Sequence, residues 1–82
     1  MNNARVDLSG EISQWLRKLR LQARMSIAEV AKEAVVEEAL IIGWETGYPV
    51  PLADFLVLMK VYHVGSKLTA ARIARWQDRY FE

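Results

Sequence analysis

Apolar side chains recur at helical spacing in five stretches of this chain, separated by residues that interrupt helices. Ile12, Trp15, Leu16, Leu19 and Ala23 share one face of a stretch that opens at Ser9, with Arg17, Lys18, Arg20 and Arg24 mostly opposite. Residues 25–47 hold two shorter segments. Ser26 is placed to cap the first, and Glu29 three positions on completes a capping box ahead of Val30, Ala31 and Ala34. Val35 and Val36 make the turn. Glu37 and Glu38 open the second segment, where carboxylates suit the positive end of a helix dipole. Leu40, Ile41 and Trp44 follow at helical spacing, and Gly47 supplies the stop. The pattern predicts helices over 27–34 and 37–45, with Val30, Ala31, Ile41 and Leu40 facing inward.

Pro49 and Pro51 stiffen the next connector, and Pro51 is suited to the first position of the helix after it. There Leu52, Phe55, Leu56, Met59 and Tyr62 form a stripe that Leu58 and Val61 broaden. Gly65 breaks the chain and Ser66 caps a last helix, over 66–81. The expectation is an all-α fold: a flexible leader over 1–8, then one domain over 9–82 of five helices with a helix-turn-helix unit at 26–47, which resembles a lambda-repressor-like bundle.

These landmarks resemble the phage-repressor-type helix-turn-helix family, the Cro-like or XRE-like class. Leu16-Arg17-Lys18-Leu19-Arg20 is similar to the family's first helix. Met25-Ser26 with Glu29-Val30-Ala31-Lys32 is similar to its second. Val36, Ile41, Trp44-Glu45 and Gly47 match its third helix and exit turn. Pro51, Leu52, Phe55, Leu56, Leu58, Tyr62 and Val64 match its fourth helix and the segment beyond that helix. The resemblance spans residues 11–64 and implies a unit that sets its second helix in a DNA major groove.

The departures fall on the reading surface. The resemblance assigns base contacts to the second, third and seventh residues of the recognition helix, here Glu38, Ala39 and Gly43. The first and sixth are Glu37 and Ile42. Ile27 stands where the family often carries a phosphate-touching Gln, and Val35 where a glycine often makes the turn. The resemblance also sets Ile27 and Ile42 on the outward surface, where neighbouring apolar side chains mark a partner face. Ile42 has an equal alternative, packing on the following loop. Glu37 and Glu38 read equally as helix-terminus charges, as a barrier to phosphate or, for Glu38, as an acceptor for cytosine N4.

Charge sharpens the contrast. The formal net charge is only +1. Residues 1–24 carry five bases against Asp7 and Glu11. Residues 25–64 carry only Lys32 and Lys60 against Glu29, Glu33, Glu37, Glu38, Glu45 and Asp54. Residues 65–82 are basic again, through Lys67, Arg72, Arg75 and Arg79. DNA-binding faces are normally basic, so an acidic helix-turn-helix core opposes the usual docking pose unless the flanks compensate.

Eighty-two residues suffice for one modest core. With no cysteine there is neither disulfide nor thiolate metal site, and no apolar run reaches membrane-spanning length. A cytoplasmic protein without membrane association is expected. No nucleophile–base pair, glycine-rich phosphate loop or metal-ligand cluster stands out, and the lone His63 has no evident partners. An enzyme, a cofactor and a small-molecule substrate are therefore not expected.

Two functions fit. The first is a dimeric DNA-binding transcriptional regulator, touching double-stranded DNA through Glu37, Glu38, Ala39, Ile42 and Gly43, with Arg17, Lys18 and Tyr48 at the backbone. The second is a helix-turn-helix turned to protein binding, an anti-repressor, antitoxin-like or co-regulator module, with Ile27 and Ile42 on its partner face. The last helix, with Leu68, Ile73, Trp76, Tyr80 and Phe81, can pack back on the domain, pair with a second copy, or lay its arginines on DNA. The resemblance favours the homodimer.

Overall fold

A computed structural model describes residues 7–80. Five helices follow in order: α1 (Ser9–Gln22), α2 (Ile27–Ala34), α3 (Glu38–Glu45), α4 (Leu52–Val61) and α5 (Ser66–Tyr80). The fold is all-α, with no strand among the described residues. Of the expected leader, residues 1–6 lie outside the description, as does Phe81. The described part is tied down: Asp7 Oδ1 accepts the Ser9 N–H at 2.9 Å, and Leu8 gives its carbonyl to Ile12 and packs on the core.

The capping box forms as expected. Ser26 Oγ accepts from the Glu29 N–H at 3.0 Å, and Glu29 Oε1 accepts from the Ser26 N–H at 2.8 Å. The Ser26 N–H also holds the Glu29 carboxyl below its usual range. Helix starts fall one residue later than expected at two places. Glu37 is the extended residue before α3 and Pro51 the one before α4, neither being the first helical residue.

Three helices stop in the same way without glycine. Arg24, Val35 and His63 adopt left-handed φ of 56°, 59° and 58°. At each stop the next residue, Met25, Val36 or Val64, donates its N–H to the carbonyl five positions back, Arg20, Ala31 or Met59. That is the hydrogen-bond pattern of a Schellman stop. Met25, Val36 and Val64 then pack against the core. The break expected at Gly65 comes two residues earlier, at His63.

Leu16, Val30, Ala31, Ile41, Trp44, Phe55, Leu58, Met59, Tyr62 and Trp76 make the core. Three expectations from the apolar pattern are corrected by the packing. Leu40 is 46% exposed and does not face inward. Ala23, at the end of α1, is exposed. In α4 the buried face is Phe55, Leu58, Met59 and Tyr62, whereas Leu52 and Leu56 look outward. α4 is apolar over most of its circumference, so two arcs satisfy the helical period, and packing against α2 selects between them.

Burial pushes the Tyr62 hydroxyl up to about 12, helped by the negative charge of Glu45. α5 is fastened by aromatic rings. Trp76 meets Trp15 edge-on at 5.5 Å between centroids and Phe55 at 6.5 Å, and Trp15 lies 6.0 Å from Phe55.

Candidate interface on α2 and α3

The rotation of α3 is set at its C-terminal end. Arg20 of α1 grips Glu45 with two parallel bonds, Nε to Oε2 at 2.7 Å and Nη2 to Oε1 at 3.0 Å, and its Nη1 donates to the Met25 carbonyl at 3.1 Å. The two side chains are 13% and 7% exposed. Such a fork is both strong and directional, and Glu45 in turn holds Arg20 charged by raising its pKa. Drawing Glu45 toward α1 brings Ile41 and Trp44 inward and leaves Leu40 on the opposite flank, outside.

The same rotation decides what α3 presents. Glu37, Glu38, Ala39 and Ile42 are exposed, Ile42 by 48%. The expected groove contact at Gly43 does not stand free. The Tyr48 ring lies over it, with Cδ2 3.1 Å from where a Gly43 Cβ would stand. Tyr48 itself is 69% exposed, so the outward surface of the last turn belongs to Tyr48. Its position follows from the turn. Thr46 and Tyr48 both donate backbone N–H groups to the Gly43 carbonyl, and Gly47 between them adopts φ 114°, which a glycine accommodates freely. Thr46 Oγ1 bonds the Ile42 and Gly43 carbonyls at 2.8 and 3.1 Å.

Ile27 is half-buried and packs against the core. Val35, 87% exposed at the tip of the turn, adds apolar surface where the sequence signals only a backbone problem. The exposed residues of α2, the turn and α3 include Glu29, Glu33, Glu37 and Glu38 with Val35 and Ile42, while Leu40 lies on the other flank of α3, and Lys32 is the one cation among them. Arg17 and Lys18 are exposed and line one shallow groove with Gln14 and Leu21, and Lys18 also lines a second groove with Arg72 of α5.

The residues expected at a dimer face do not share one surface. Trp76 is buried in the chain's own core. Leu68 sits on the arginine side of α5, and Tyr80 carries the Arg79 guanidinium 5.6 Å from its ring. Ile73 opens toward α4, where it lines two adjoining grooves with Leu56 and Val64 on one side and Leu8, Val50 and Leu52 on the other. Leu52, Leu56 and Val57 are 69%, 50% and 42% exposed, an apolar face that periodicity alone assigns to the core. The signal for it is the unusually wide apolar arc of α4.

Among the described residues no group of three or more His, Cys, Asp or Glu is placed to hold a metal ion, and no helix is long and apolar enough to cross a membrane. No family model matches the chain, and no curated protein or solved structure does so either.

Proposed function

We propose that this chain is a helix-turn-helix transcriptional regulator of the repressor-like kind, docking α3 in the major groove of double-stranded DNA as a homodimer. One observation carries the reading: α2 and α3 are locked together as a unit while the outward side of α3 is left uncovered. The capping box starts α2, the left-handed Val35 turns the chain, and the Arg20–Glu45 fork fixes the rotation of α3. Glu38 can accept from a cytosine N4 amino group, and Ala39 and Ile42 can contact thymine methyls. Arg17 and Tyr48 flank this surface as backbone contacts. Pairing through Leu52, Leu56 and Ile73 would present two copies of α3 to two half-sites.

The test is selection of duplexes from a random pool, followed by anisotropy titrations of selected and scrambled duplexes. Glu38→Ala should narrow the preference for the selected sequence, since one good base contact contributes about 1–3 kcal/mol of discrimination. Failure to enrich any sequence would overturn the reading.

A second reading is favoured by the composition of the same face. Exposed carboxylates at Glu29, Glu33, Glu37 and Glu38 accompany exposed Val35 and Ile42 along α2 and α3. Such a surface suits a basic, apolar helix of a regulatory protein, as in an anti-repressor, antitoxin-like or co-regulator role. Changing Glu37 and Glu38 to Gln separates the two. A protein-binding face would gain DNA affinity on neutralisation, and a base-reading one would lose selectivity.

A further inference from the structure

The cations that α2 and α3 lack are gathered on the side where α1 and α5 meet. Glu11, Gln14, Trp15 and Lys18 of α1 line a shallow groove with Arg72 and Trp76 of α5. The Arg72 guanidinium stacks over the Trp15 ring, 5.1 Å from its centroid. Arg75 and Arg79 follow Arg72 at three and seven residues, on one stripe about 10 Å long. Arg79 reaches Glu11, the one carboxylate lining the groove, at 3.7 Å.

We propose that this α1–α5 groove is a docking site for the sugar–phosphate backbone of duplex nucleic acid, separate from α3 and independent of sequence. Its chemistry fits phosphate in three respects. Lys18, Arg72, Arg75 and Arg79 outnumber Glu11, and cations of this kind supply non-specific affinity by releasing counterions. Stacking on Trp15 holds the Arg72 plane while leaving N–H groups at its edge, the arrangement suited to a phosphate fork. Gln14 adds the neutral amide donor common at phosphate contacts. A protein partner fits less well, because its interface needs an apolar centre, and the two indoles here are already covered, Trp15 by Arg72 and Trp76 by the core. The proposal does not require α3 to read bases.

The experiment titrates a random-sequence duplex into the full chain at stepped salt concentrations, following fluorescence anisotropy. The triple variant K18Q/R72Q/R75Q should bind more weakly. Its slope of log affinity against log salt should flatten by about 0.9 for each lost phosphate contact. The single variant Arg75→Gln, at an exposed position that leaves Trp15 stacked, should flatten it by about one contact and guards against a folding artefact. Selected and scrambled duplexes should show the same flattening of slope in the triple variant. Failure of base reading therefore appears as equal affinity for selected and scrambled duplexes, and failure of the groove as a slope that the triple variant leaves unchanged. An unchanged slope in the triple variant would overturn the proposal. So would the absence of random-duplex binding at low salt. Self-association at low salt without DNA, abolished equally by K18Q/R72Q/R75Q and by E37Q/E38Q, would also overturn it, because the groove would then hold the acidic face of a second copy.

Discussion

Removing the Glu45 carboxylate tests the central joint of the fold. In Glu45→Ala, Arg20 loses both fork bonds and keeps only the 3.1 Å bond to the Met25 carbonyl. Arg20 is only 13% exposed, so water cannot readily replace the missing carboxylate. Leaving one member of this half-buried pair uncompensated should cost about 2–3 kcal/mol, between the at most about 1 kcal/mol of an exposed pair and the about 3–5 kcal/mol of a fully buried one. Domains are stable by about 0.05–0.15 kcal/mol per residue, or about 4–12 kcal/mol for a chain of this length. Glu45→Ala should therefore remove about a sixth of the total or more. Urea unfolding followed by circular dichroism at 222 nm reads the change directly. A double-mutant cycle with Arg20→Met and Glu45→Met should return a coupling of at least about 2 kcal/mol, with the apolar pair more stable than either single variant. A loss under about 1 kcal/mol in Glu45→Ala would show that the fork behaves as a surface pair and that α3 takes its rotation from Ile41 and Trp44 alone.

Val35→Gly should raise stability by about 0.5–1 kcal/mol, because a β-branched residue in the left-handed region costs about 1–2 kcal/mol and Val35 is 87% exposed with little burial to lose; a lower melting temperature would refute the strain. Tyr62 has a folded pKa raised to about 12 from 10.0. Its contribution should be complete below pH 10 and fade as pH rises toward 12, so thermal melts of Tyr62→Phe should be flatter than wild type across that window. The proposed homodimer should sediment as a dimer, and Leu56→Glu combined with Ile73→Glu should shift it to monomer without changing the helical content; a monomeric wild type, or a variant as dimeric as wild type, would refute pairing through this face.

Much of this fold is legible in the sequence, and its gaps have physical causes. The bounds of α2 come directly from Ser26, Glu29 and the apolar triplet Val30, Ala31 and Ala34, since capping and periodicity are local. The turn at Val35 is read from the sequence, but the left-handed stops at Arg24 and His63 are not marked there, because the usual glycine is absent and each is identified only by its neighbour packing inward. The exposed arc of α4 is hidden because Leu52 and Leu56 satisfy the helical period as well as Leu58 does. The outward character of Glu38, Ala39 and Ile42 can be read, but the cover that Tyr48 places over Gly43 depends on a turn geometry that spacing does not encode. The gathering of Lys18 with Arg72 needs α5 to fold back on α1, a tertiary fact that no local window contains.

The aromatic fastening of α5 divides the molecule into parts with different tenacity. α1 through α4 interlock by close helix packing, while α5 adheres mainly through one indole wedged between Trp15 and Phe55. Amide protons along α5 should then exchange through a local detachment, earlier than those of α1 or α3. Two of the three tryptophans sit at that seam and Trp44 lies on the buried face of α3, so intrinsic emission offers separate spectroscopic windows on the peeling of α5 and on the melting of the rest.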